Sequence, residues 1–311
     1  MRIATIRRSQ NGVSLLLFLF IILCLSATLF ITSWSSDTER LALDAKTEEA
    51  LAVAKEALLG RAASDDNRPG SLPCPDTNGD GVAEPFAGSG CPAYVGRLPY
   101  KTLKTGELRD GSGELLWYAL SPSLRDHPSA SPINPNTPVT LSLDTIPNVA
   151  AIIIAPGPPL PGQNGRPSNQ MGDYLDGSNA DGNANYESGP VTAAFNDKAI
   201  ALLKSELFSA VSRRILGEIR GPDDQAPFFP NKGLRAYGAP FPWADGNHDG
   251  WADLNVATGQ LPYNNLVLDS WLSNNGWPAV VNYTRFSANS AQISIGSATL
   301  KVVPCPVLPC P

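Results

Sequence analysis

Two short stretches of the sequence carry oxygen donors at the spacing of a calcium loop. Asp76, Asn78, Asp80 and Glu84 occupy the first, third, fifth and ninth places of one stretch, with Gly81 at the sixth. Asp245, Asn247, Asp249 and Asp253 repeat the scheme, with Gly250 at the sixth. Ca2+ takes about six to eight hard oxygens, and a D-x-[DN]-x-[DN]-G turn folds alternating side chains inward around it. The seventh-place carbonyls, of Val82 and Trp251, would each add a donor. Ala87 and Val256 stand at the twelfth place, where a regulatory loop has a bidentate Glu. The expected affinity is therefore that of weaker extracellular modules, ~10⁻⁴–10⁻³ M. The role would be structural: a Ca2+ ion neutralises clustered carboxylates and fixes the loop. The competing reading is an Asx-rich turn satisfied by its own backbone.

The cysteines point to bracing rather than catalysis. Cys24 lies in an apolar run, and Cys74, Cys91, Cys305 and Cys310 form an even set. Nearest-neighbour pairing gives Cys74–Cys91 and Cys305–Cys310, with the other two connectivities open. Zinc is a weaker alternative, because the chain has no CxxC and only two histidines. Phe241, Trp243, Trp251, Tyr263, Trp271 and Trp277 cluster late in the chain. They could form a platform for a sugar or a protein, or simply pack an irregular core. Asp173–Glu187 is acid-rich but lacks ligand spacing and reads as a solvated loop. GxSxG, HExxH and Walker A patterns are absent, so the chain reads as a non-enzyme. A net charge of −6, with no basic run beyond the extreme N-terminus, argues against a nucleic-acid partner.

These residues need elements to position them. Val13 to Ser33 carry no charge across 21 residues, enough to span a ~30 Å hydrocarbon core as a helix. Arg2, Arg7 and Arg8 precede the run and Trp34 follows it. The positive-inside rule then expects a single-pass inner-membrane protein with a cytoplasmic N-terminus, the rest lying outside the cytoplasm. The stretch after Asp37 is rich in Ala, Leu, Glu and Lys, so one helix is expected from about Val13 to Ala63. The expected organisation is a basic leader (1–12), a transmembrane helix (13–33), an outer half of the same helix (34–63) and one large globular domain (64–311).

The N-terminal plan resembles type IV pilins and type II secretion pseudopilins. The matching residues are Arg7-Arg8-Ser9-Gln10-Asn11-Gly12, followed by Val13-Ser14-Leu15-Leu16-Leu17. The resemblance implies cleavage after Gly12 by a prepilin peptidase, with Val13 as the methylated mature N-terminus. Loss of the leader would take the charge from −6 to −9. Those families usually carry Glu at the fifth mature position, where this chain has Leu17. The departure implies something other than an ordinary repeating filament subunit. The tip pseudopilin of type II secretion also lacks that Glu, so an accessory or tip role among other pilins or pseudopilins is the expectation. A stand-alone anchored binding protein, for glycan or a surface ligand, is the alternative, and a hydrolase is the third reading. Arg68–Gly81, Gly96–Leu103, Leu115–Ser121, Asn148–Gly157 and Phe195–Lys198 further resemble a family of pilin-like exported bacterial proteins.

Glu114–Ser121, Thr140–Leu143 and Val149–Ala155 read as strands, the last apolar enough for burial on both faces. Gly157–Gly189 reads as a long loop, the kind that is usually functional or mobile. Ala194–Arg220 has helical spacing, with Asn196 or Asp197 as its cap. Ala279–Phe286, Ala291–Gly296 and Thr299–Val303 read as an antiparallel meander. The expected class is α+β: a long N-terminal transmembrane helix continuing into a pilin-like domain, with an antiparallel sheet and loops braced by Ca2+ and disulfides.

Overall fold

The computed structural model describes residues 11–127, 132–221 and 232–305, and the backbone alone for 11–15 and 26–37. One helix, α1 (Asn11–Ser64), runs 54 residues, through and past Gly60. Its side chains divide it into two unlike parts. Leu16 to Leu25 are exposed, whereas Thr47, Ala50, Leu51, Ala54, Leu58 and Ala62 are buried. Their three- and four-residue steps put this second set on one face, which enters the core.

The expected transmembrane span is overturned. Among the described residues, no helix is long and apolar enough to cross a membrane. The described apolar side chains, Leu16 to Leu25, occupy about 15 Å of helix, half the thickness of a ~30 Å hydrocarbon core. With the span go the transmembrane part of the fold class and the single-pass inner-membrane placement.

The rest of the chain is α+β, with two sheets sharing one core. The first sheet is built from β1 (Val95–Arg97), β2 (Trp117–Leu120), β3 (Leu141–Leu143), β4 (Ile146–Ala155), β5 (Asn185–Tyr186) and β6 (Lys198–Leu203). Its order is β1-β2-β4-β3-β5, with β6 also paired to β4. All its pairs are antiparallel except β3–β5. Helix α2 (Lys204–Arg220) follows β6 directly, and the short helix α3 is Gly233–Tyr237. The second sheet is an antiparallel meander, β7 (Thr258–Gln260), β8 (Asn282–Ser287), β9 (Ser290–Ile295) and β10 (Ala298–Val302), with the short helix α4 (Ser270–Asn274) between β7 and β8. The three C-terminal strands lie where the alternation of β-formers puts them.

The helix expected over Ala194–Arg220 starts late. Lys198–Leu203 instead pair with β4, from Ala155↔Lys198 to Val149↔Leu203. The five apolar residues after Lys198 satisfy a helix and a strand equally, and the free edge of β4 decides. Glu206 then closes the first turn of α2 by accepting the Leu203 N–H at 2.9 Å.

β4 is buried on both faces. Tyr118, Leu120, Ala151 and Ile153 face the core shared with α1 and α2. Trp117, Ala119, Ile152 and Ile154 face the other way, under Tyr174, Leu175 and Tyr186. Those three covering residues belong to or border the long stretch after Gly157, so that stretch roofs the sheet. The expected solvated character of Asp173–Glu187 holds only in part for the same reason: Asp181 and Glu187 are exposed, but Asp176 and Asn179 are buried.

Candidate functional site

Both proposed calcium loops fold, and they fold alike. Asp76 is 1% exposed and accepts three backbone N–H groups: Asn78 at 3.1 Å, Gly79 at 2.7 Å and Gly81 at 2.7 Å. Asp245 is 0% exposed and accepts those of His248 at 2.6 Å, Asp249 at 3.3 Å and Gly250 at 2.7 Å. Asn78 and Asn247 each accept the N–H two residues on, at 2.9 Å. Asp80 and Asp249 do the same for Val82 and Trp251, at 2.7 and 2.8 Å. Glu84 and Asp253, at the ninth place, turn back to accept N–H groups from the start of their loops.

The likeness extends well beyond the loops. Asp76 exchanges backbone hydrogen bonds with Arg97, and Asp245 with Gln260. Leu98-Pro99-Tyr100 follows the first contact and Leu261-Pro262-Tyr263 the second. The Gly81 carbonyl accepts from Lys101 N–H, and the Gly250 carbonyl from Asn264 N–H. Thr102 Oγ1 accepts the Ala83 N–H at 2.8 Å, and Asn265 Oδ1 the Ala252 N–H at 2.8 Å. Gly96 pairs with Tyr118, whose hydroxyl donates to the Pro73 carbonyl at 3.2 Å. Gly259 pairs with Tyr283, whose hydroxyl donates to the Pro242 carbonyl at 2.9 Å. Burial pushes both tyrosine pKa values up, so both hydroxyls stay donors.

Each unit covers an edge strand, β1 in one sheet and β7 in the other, which satisfies polar groups that would otherwise be open to pairing. The glycines follow from this tight folding. A Cβ on Gly81 would lie 2.4 Å from the Tyr100 ring, and one on Gly250 2.6 Å from the Tyr263 ring. Both have left-handed φ, +84° and +89°.

Sequence reading found the two loops and missed the rest of the repeat. The signal was present: Gly96-Arg-Leu-Pro-Tyr-Lys-Thr-Leu103 against Gly259-Gln-Leu-Pro-Tyr-Asn-Asn-Leu266. Unequal spacing hides it, because the first unit carries an excursion that includes Cys91.

The other sequence candidates scatter. Cys74 and Cys91 form a disulfide, bracing the first loop. Cys305 is disulfide-bonded, and Cys310 lies outside the described residues. Gly12 and Val13 lie in the first turn of α1. The four tryptophans do not form a common platform. Trp277 is buried and meets Phe208 edge-on, Trp271 lies under Arg214, and Trp243 lies under Arg285 at 3.9 Å. Trp251 alone of the four is mostly exposed, at 55%. Among the described residues, no group of three or more His, Cys, Asp or Glu is placed to hold a metal. Both loops keep their shape through their own N–H groups.

Beside each loop lies a cleft. The first, of about 410 Å³, is lined by Asn78, Arg97, Arg109, Glu114, Asn169 and Tyr174, among others. The second, of about 560 Å³, includes His248, Thr258, Gln260, Asn282 and Ile295. A buried acid pair lies under the roof of the first sheet. Asp197 accepts from the Asp176 N–H and the Asn179 amide, both at 2.9 Å, and its other oxygen is buried without a partner. Burial pushes the Asp197 carboxyl up to about 7, against the pull of those two donors and of Arg166; the Asp176 charge adds to the rise. Asp197 is thus a buried acid rather than the helix cap expected from sequence.

No family model, no curated protein and no solved structure matches the chain.

Proposed function

We propose that this protein is a pilin-like accessory or tip component of an assembly of the type IV pilus or type II secretion kind, and that its work is contact with other proteins. One observation carries the reading: α1 is anchored in the core by its C-terminal half, while Leu16 to Leu25 stand exposed, each large apolar residue by 47–70%. A contiguous apolar surface of this kind marks an interaction site, worth about 25 cal/mol for each Å² covered. Leu17, in place of the usual Glu, favours an accessory or tip position over a repeating one. A stand-alone binding protein is the rival reading, which the two clefts favour.

Processing separates these readings. The mature chain should begin at Val13, and Gly12→Ala should block maturation. A photo-crosslinker at Leu19 or Leu23 should capture a protein with a prepilin-type N-terminus. An intact Met1 in cells, with no such protein captured, would end the assembly reading.

The two wired loops are proposed to take Ca2+ as a structural ion. Asp76 Oδ2, Asp80 Oδ1, Asp245 Oδ2 and Asp249 Oδ1 each accept one N–H and keep a second lone pair, and the donor set is entirely oxygen. Millimolar Ca2+ should raise the melting temperature, with Asp80→Ala and Asp249→Ala each removing part of the rise. Equal melting with Ca2+ and with a chelator would exclude the ion.

A further inference from the structure

We propose that the cleft beside the first loop binds a small carboxylated, hydroxyl-rich solute, of the uronic acid kind, with Arg97 holding the carboxylate. Arg97 is 7% exposed. Its guanidinium lies 5.4 Å from the Trp117 ring centroid and 5.2 Å from that of Tyr174. It donates to Asn169 Oδ1 at 2.7 Å and to the Ser168 carbonyl. Both acceptors are neutral, and no carboxylate pairs with Arg97 among the described residues.

The other charges of the cleft are matched. Arg109 is paired with Glu107 at 2.7 Å, and Glu114 with Arg166 at 3.2 Å. One positive charge is left over, held nine-tenths out of water. A buried unpaired charge is costly, and the two rings return only about 0.5–2 kcal/mol of that cost. A carboxylate in the cleft supplies the missing counter-charge. The guanidinium has five N–H donors and spends two here on neutral oxygens, and its planar fork matches two carboxylate oxygens.

The second unit provides an internal control. Gln260 occupies the backbone position of Arg97, with the same paired hydrogen bonds to the loop aspartate. Its amide donates to the Ala279 carbonyl at 2.6 Å. The unit therefore folds around a neutral side chain at this position, and the charge of Arg97 serves the cleft rather than the backbone. The volume of about 410 Å³ suits a sugar-sized solute. Asn78, Ser168 and Asn169 give its hydroxyls polar partners. With Glu114 matched by Arg166, Arg97 offers one free positive charge, which a carboxylate neutralises and a phosphate dianion exceeds.

The test is calorimetric titration of the full-length protein with sodium galacturonate, galactose and inorganic phosphate. Galacturonate should bind and galactose should bind at least about tenfold more weakly. Arg97→Gln copies the residue of the second unit, so it should keep its melting temperature and lose at least about tenfold in galacturonate affinity. In the wild-type protein, the Ser168 and Asn169 amide NMR signals should move saturably with galacturonate. That reading holds even if the variant folds poorly. Absent galacturonate binding, unchanged affinity in folded Arg97→Gln, equal binding of galactose, or tighter binding of phosphate would each overturn the proposal.

Discussion

The unit around Asp76 and the unit around Asp245 share a backbone and differ in how it is fastened. In the first, Cys74 is tied to Cys91 across a separation of 17 residues. In the second, Trp243 stands two residues before the loop aspartate, as Cys74 does in the first, and lies under the Arg285 guanidinium. A covalent staple in one unit thus has a stacked ring and cation as its counterpart in the other. The shared parts are the buried aspartate, the loop glycine, the Leu-Pro-Tyr turn and the tyrosine on the neighbouring strand. These parts define the unit. The fastening and the residue facing the cleft, Arg97 or Gln260, are what varies on it.

The largest expected break in this likeness comes from the disulfide. Replacing Cys74 and Cys91 together by Ser should cost about 3 kcal/mol in denaturant unfolding. Amide exchange should then rise around Asp76 and stay unchanged around Asp245. Equal loosening of both loops would mean that the units are coupled rather than independent.

Next in size are the glycines. Gly81→Ala and Gly250→Ala each force a side chain into left-handed backbone and into a tyrosine ring, so each should cost about 2 kcal/mol. Similar costs support a common architecture, whereas one costly and one neutral change would break it.

A pH effect should distinguish the two sheets. Asp197 holds its proton up to about 7 in the folded protein, against an ordinary value of 3.8. Between those values the native state binds a proton that the unfolded chain releases, so stability falls as pH rises through this window and levels above it. Asp197→Asn should flatten that slope and add about 1–2 kcal/mol at about pH 8. Exchange protection in β4 and β6 should follow pH, and that in β8 and β9 should not. The smallest effect is the tyrosine hydroxyl. Tyr118→Phe and Tyr283→Phe should each lose about 1 kcal/mol, by the same amount, because each removes one bond to a proline carbonyl.

Parts of this protein are legible from the sequence because they are local. The loops at Asp76 and Asp245 are recognisable because their hydrogen bonds close within a few residues. The strands of the C-terminal meander are recognisable because period-two alternation reflects one buried face. Proximity in the chain favours the Cys74–Cys91 pair, and the structure chooses it over the connectivities that the sequence left open. Val149–Ala155 was readable as doubly buried from its composition, but the identity of its second cover was not. That cover comes from a polar, glycine-rich stretch whose few apolar residues, Tyr174, Leu175 and Tyr186, gain meaning only when β4 lies beneath them.

By itself, the sequence determined the two loops, the position of α1 and the α+β class, since each depends on contacts or periodicities spanning a few residues. Tertiary structure alone decided that Lys198–Leu203 is a strand, that the two loops head equivalent units on the edges of two sheets, that the tryptophans scatter, and that Arg97 lies buried with no carboxylate paired to it among the described residues. Each of these depends on which distant segment offers a free edge, a ring or a charge, and that information exists only once the chain has closed on itself.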